Sequence, residues 1–171
     1  MSTAESFGNF ASTNMIQEAT AFKTVKAGQY DIQLNKVYEM NDAEGFARVG
    51  ATVVSEGQKR GTVFFRLQWV EARGTNGKLK AGCKLFSQLL KALHPTATIE
   101  ELSKISAEVL LGEAERYAVS AFISEYYQVP DDSNPPYKSR RAYPKTADEI
   151  AAVLKEGGVA KNDVVSIYAK K

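Results

Sequence analysis

Alternation of apolar and polar residues begins at Gly28. Tyr30, Ile32 and Leu34 alternate with Gln29, Asp31, Gln33 and Asn35, the period of a half-buried strand. Val37 then breaks a phase that Tyr38 and Met40 keep, which predicts a bulge or strong bend near Lys36. Residues 41–45 have the composition of a turn. A second strand follows over 46–55, where Gly50 predicts a bend or a close backbone approach. After a turn over 56–61, Val63, Phe65, Leu67 and Trp69 share one face of a third strand, and Phe64, Arg66, Gln68 and Val70 the other. Three strands joined by short turns read as an antiparallel meander.

The period then changes. Residues 73–82 form a loop rich in Gly and Lys, and 84–93 carry Leu85, Phe86, Leu89, Leu90 and Leu93 in one helical stripe that His94-Pro95 ends. Thr98 and Glu101 spell a capping box for a second helical stretch, with a break expected over 103–106 and an end at Gly112. A fourth strand is predicted over 116–129, a long turn over 130–136 and a fifth strand over 137–143. Thr146 caps a further helix with Asp148 and Glu149 in its first turn, Gly157-Gly158 ends it, and 164–169 read as a short last strand. Residues 1–27 show no strict period and read as a loosely ordered lead-in to a single domain over 28–171.

This order predicts a mainly β fold with α elements: an oligonucleotide/oligosaccharide-binding (OB) five-stranded barrel. It has a helical insertion between strands 3 and 4, plugging one end, and a C-terminal helix plus short strand. A ferredoxin-like fold needs a helix after the first strand, and the few residues between Met40 and Phe46 leave no room for one.

Composition narrows the chemistry. The 171 residues suit one domain able to bury its own core. A lone cysteine, Cys83, excludes an internal disulfide, and with the lone histidine, His94, it cannot close a structural zinc site. His94 at a helix end reads as a cap or surface residue, Cys83 as buried filler, and Asp131-Asp132 as turn formers. No phosphate loop or nucleophile elbow is present, so no catalytic residue, metal or cofactor is expected. No run is long enough to span a membrane, and residues 1–21 contain no Lys or Arg, unlike a signal peptide. A cytoplasmic binder is the expectation.

Net charge is +2, but it is segregated. Residues 57–91 hold eight bases and one acid, a net of +7; residues 98–115 come to −4 and 137–145 to +4. Such a gradient suits a polyanion. Single-strand binding needs cations that track phosphates and flat rings on which bases stack. The candidate phosphate contacts are Lys59, Arg60, Arg66, Lys78, Lys80, Lys138, Arg140 and Arg141; the candidate stacking residues are Phe64, Tyr126, Tyr137 and Tyr143. Tyr30 and Tyr117 share the phase of Ile and Val and read as core, as does Trp69.

The run from Gly28 to Leu34 and the Gly61-Thr-Val-Phe-Phe segment are followed by the helix from Phe86 to Leu93. Then comes the Tyr117-to-Phe122 strand leading to Arg140-Arg141. Together these resemble the small OB-fold single-stranded DNA-binding proteins encoded by bacteriophages. The resemblance implies a non-catalytic protein that coats exposed strands in DNA replication or recombination. It would work in the host cytoplasm, with replication or recombination proteins as partners and self-association open. Many such proteins end in an acidic tail, whereas this chain ends Ser166-Ile-Tyr-Ala-Lys-Lys. Two other readings stand beside it: a β-barrel protein-interaction or virion-structural module, and a nuclease, which would need carboxylates for Mg²⁺ among the basic strands.

Overall fold

The computed structural model describes residues 10–12, 15, 24–54, 61–133 and 135–170. Most of the lead-in over 1–27, and with it Lys59 and Arg60, lies outside the described residues. Six strands form one antiparallel sheet: β1 (Gly28–Asn41), β2 (Phe46–Val53), β3 (Thr62–Gln68), β4 (Val119–Pro130), β5 (Ser139–Ala142) and β6 (Val159–Tyr168). Between β3 and β4 lie three helices, α1 (Ala81–Leu93), α2 (Ile99–Ser103) and α3 (Ala107–Arg116); α4 (Ala147–Lys155) precedes β6. None of the described helices is long and apolar enough to cross a membrane.

The sheet runs β3-β2-β1-β4, and β4 is its hub. Along one edge of β4, residues 119–123 pair with β1 and residues 127–130 with β5; β6 takes the other edge over 120–128. The expected five-stranded barrel is corrected to an open six-stranded sheet. β3 and β6 approach within 8 Å between Cα atoms but do not pair. Helix α1 packs against both, and its Gln88 Oε1 accepts the Ile167 N–H at 2.9 Å, an edge donor that a closing strand would otherwise use. The last strand is ten residues long rather than short, because its register against β4 begins at Val159.

One face of the sheet and the stripe of α1 make the core. Ile32, Val49, Val63, Leu67, Leu89, Leu110 and Ile123 are almost wholly buried in it. Full burial of a side chain of this size contributes about 1.5–3 kcal/mol. Trp69 packs against this cluster, tilted on Phe86 with ring centroids 6.0 Å apart.

Local expectations fare unevenly. The capping box at Thr98 is complete, and the break over 103–106 separates α2 from α3. Helix α3 continues to Arg116 rather than ending at Gly112, so Tyr117 becomes its C-cap and is 61% exposed, outside the core assigned to it. Register shifts in β1 fall between Leu34 and Lys36 and again between Val37 and Glu39. They turn Val37 toward the core, while Tyr38 is left 52% exposed, the reverse of the phase read from the sequence.

Candidate nucleic-acid interface

The far end of β4 supports a short arm. Residues 127–130 pair with 139–142 of β5, and the Asp131 N–H reaches the Lys138 carbonyl at 2.8 Å. Asp131 opens the connecting turn by accepting the N–H and hydroxyl of Ser133; these bonds hold its carboxyl below the ordinary aspartate range. Gln128 Nε2 donates to Ser139 Oγ at 3.0 Å, fixing the base of the arm.

Tyr126, Gln128, Tyr137, Ser139, Arg140 and Arg141 line a cleft of about 450 Å³ in this arm. Four of the twelve residues expected from the sequence to touch nucleic acid thus meet in one cavity. The Arg141 guanidinium lies over the Tyr126 ring at 4.2 Å, and Tyr143 packs beside that ring with centroids 6.3 Å apart. Tyr137 is 69% exposed at the rim. A stacked guanidinium beside open aromatic rings suits flat, anionic ligands.

Both arginines are already engaged. Arg141 Nη1 donates to Asp163 Oδ2 at 2.9 Å, and this bond raises its affinity for a proton above an ordinary arginine's. Arg140 Nη2 reaches Glu156 Oε2 at 2.9 Å, and its Nε lies 3.6 Å from Asp131 Oδ2. Lys138 and Lys161 make no ion pair among the described residues. They share a neighbouring cavity of about 260 Å³ with Gln128, Pro130, Ser139, Gly157 and Val159.

Phe64 and Arg66 stand elsewhere. They lie on the sheet face opposite the core, where Phe64 packs on Tyr38 at 5.5 Å between centroids. Lys36 Nζ sits 4.8 Å from the Tyr38 ring, and Arg66 covers Phe46 at 3.8 Å. Gly50 makes this platform: a Cβ there would stand 2.8 Å from Tyr38 Cε2, so the ring needs a residue without one. The sequence signalled a close approach at Gly50 but not its partner. Tyr38 and Lys36 were missed because the phase switch in β1 hides which face they take.

Register separates the platform from the arm. Lys36 lies opposite Gly50, which faces Phe64; Gln29 faces Phe122, four residues before Tyr126. At about 3.3 Å per residue, that is roughly 36 Å of strand contour. Phe122, 42% exposed on the same outer face, lies between them. Lys78 and Lys80 belong to neither cavity of the arm. They sit in a loop closed by an Arg73–Leu79 bridge, with Lys80 as N-cap of α1.

The other chemical candidates have local partners. His94 caps the C-terminus of α1, and its Nε2 lies 2.9 Å from Glu113 Oε1. Cys83 is buried, its thiol 3.5 Å from the Val70 carbonyl. Among the described residues no cluster of His, Cys, Asp and Glu could hold a metal ion. No family model matches the chain, and no match was found among curated proteins or solved structures.

Proposed function

We propose that this protein binds single-stranded DNA without strong sequence preference and without catalysis, as an accessory of replication or recombination. The observation that carries the reading is the arm cleft, where Tyr126 and Tyr137 stand with Arg140 and Arg141 around a cavity of about 450 Å³. Rings supply stacking that any base can use, and guanidinium forks supply phosphate contacts. The Tyr38–Phe64 platform and Phe122 extend the same outer face toward the other end of the sheet. The pairing pattern supports an OB-like reading of the topology: a meander, helices, then a strand returning beside β1. In this reading the open sheet is an OB-like arrangement left unpaired between β3 and β6, and the resemblance to phage single-stranded DNA-binding proteins belongs to it.

A second reading, a protein-interaction module, draws on a groove of about 650 Å³ lined by Met40, Trp69, Phe86, Leu90, Leu102 and Ile105 among others. Chromatography on single-stranded DNA cellulose separates the two. Retention with elution by salt supports the first reading, and passage in the unbound fraction at low salt supports the second.

A further inference from the structure

We infer that Asp163 and Glu156 stand in for backbone phosphates on Arg141 and Arg140. In this inference the cleft is self-occupied, and a DNA strand enters by exchanging carboxylate for phosphate. It deepens, and rests on, the single-strand reading of the cleft. Both contacts are 2.9 Å, the length of a charge-assisted bond. A guanidinium fork presents the same planar donors to a carboxylate as to a phosphate.

The acids do not belong to the arm. Glu156 is the C-cap of α4 and Asp163 lies in β6, whereas both arginines lie in β5. Carboxylates from the scaffold therefore hold cations carried by the arm. All four side chains are roughly half exposed, so the pairs are weak enough to exchange. Asp131 adds a third carboxylate at 3.6 Å. The charge of the two arginines, half of the +4 of residues 137–145, is thus offset where it would meet DNA.

The exchange has a thermodynamic signature. An arginine that meets phosphate after leaving a carboxylate brings little net charge, because the freed acid gathers a cation from solution. Neutralising the acid restores the full ion release, about 0.7 in the salt slope per phosphate contact.

The test uses the full chain and a fluorescein-labelled dT20 strand, followed by anisotropy across a series of NaCl concentrations. Asp163→Asn and Glu156→Gln keep a neutral acceptor for the arginine and remove only the charge. Each is expected to bind about two- to fivefold more tightly, as loss of an exposed competing pair allows. Each should also steepen the slope by about 0.7. Glu108→Gln in α3 removes one acid from the helical layer and is expected to do neither.

Unchanged or weaker binding in both cleft variants, with the wild type binding, overturns the inference: the acids then merely position the arginines. An equal gain in the Glu108→Gln protein also overturns it, because net charge alone would explain the effect. If neither wild type nor variants bind dT20, the single-strand reading itself falls. If only the variants bind, the carboxylates block the cleft outright and the inference stands.

Discussion

Tyr137 and Arg141 would serve a bound strand in different ways, and substitution can tell them apart. Tyr137 lies at the cleft rim, 69% exposed, with no core neighbour to lose. Tyr137→Ala should weaken dT20 binding by about 1–3 kcal/mol, the worth of one stacked base, and leave the salt slope unchanged. Arg141 carries charge and also covers the Tyr126 ring, so Arg141→Ala should lower affinity through both. Its effect on the slope should be small, since Asp163 already offsets it. Anisotropy titrations at several salt concentrations check both outcomes. At this scale the sequence was informative where rings and bases cluster around a turn, as at Tyr126, Tyr137, Arg140 and Arg141. It was not where a side chain's face depends on register. Tyr38 looked like core from its alternation with Ile32 and Leu34, and two register shifts send it to the outer face.

Elements were read best where local chemistry alone decides them. Thr98 caps α2 with both bonds of a capping box. At the C-terminal end of α4, Gly157 adopts φ +88°, and the N–H groups of Gly157 and Gly158 bond to the Leu154 and Val153 carbonyls, a Schellman closure. Gly157→Ala forces a Cβ into the left-handed region and should cost about 1–2 kcal/mol in urea unfolding. Elements that depend on distant partners were misjudged. β6 is longer than its apolar stretch because β4 supplies a continuous edge, and α3 overruns Gly112 because Leu110, Leu111 and Ala114 are buried against the sheet. The arm is the least anchored strand, with four residues paired on one edge. Its amides over 139–142 should exchange with solvent much faster than those of Ala121 and Ile123, and should slow when dT20 is added. Asp131 makes the turn acid-sensitive in one direction. Its carboxyl is held low, chiefly by the Ser133 hydroxyl, so the turn contacts persist above the ordinary aspartate range. They fail only as pH falls through that depressed value. The Ser133 amide signal in NMR, followed into strong acid, checks this.

On the scale of the molecule, one sheet face is buried as the core and the other is the proposed recognition surface. Helix α1 and the apolar side of five strands bury the core, and the opposite face carries Phe64, Tyr38, Phe122 and Tyr126. The order of elements was legible because each has its own period. Closure was not, because it turns on one edge of β6 that α1 takes through Gln88. The division of faces has a stability consequence. Leu89→Ala should cost about 2–5 kcal/mol by opening a cavity under the sheet, yet leave dT20 affinity unchanged below the unfolding temperature. The outer face and arm are proposed to hold an unpaired strand. The measurement that addresses this most directly is a competition titration: labelled dT20 displaced by unlabelled single strand or by duplex of equal length, repeated over a range of salt. With about four phosphate contacts made by cations outside the two arginine pairs, log K should fall against log salt with a slope near −3, and single strand should displace dT20 far better than duplex. A flat salt response, or duplex competing as well as single strand, would show that the outer face and arm do not hold an unpaired strand.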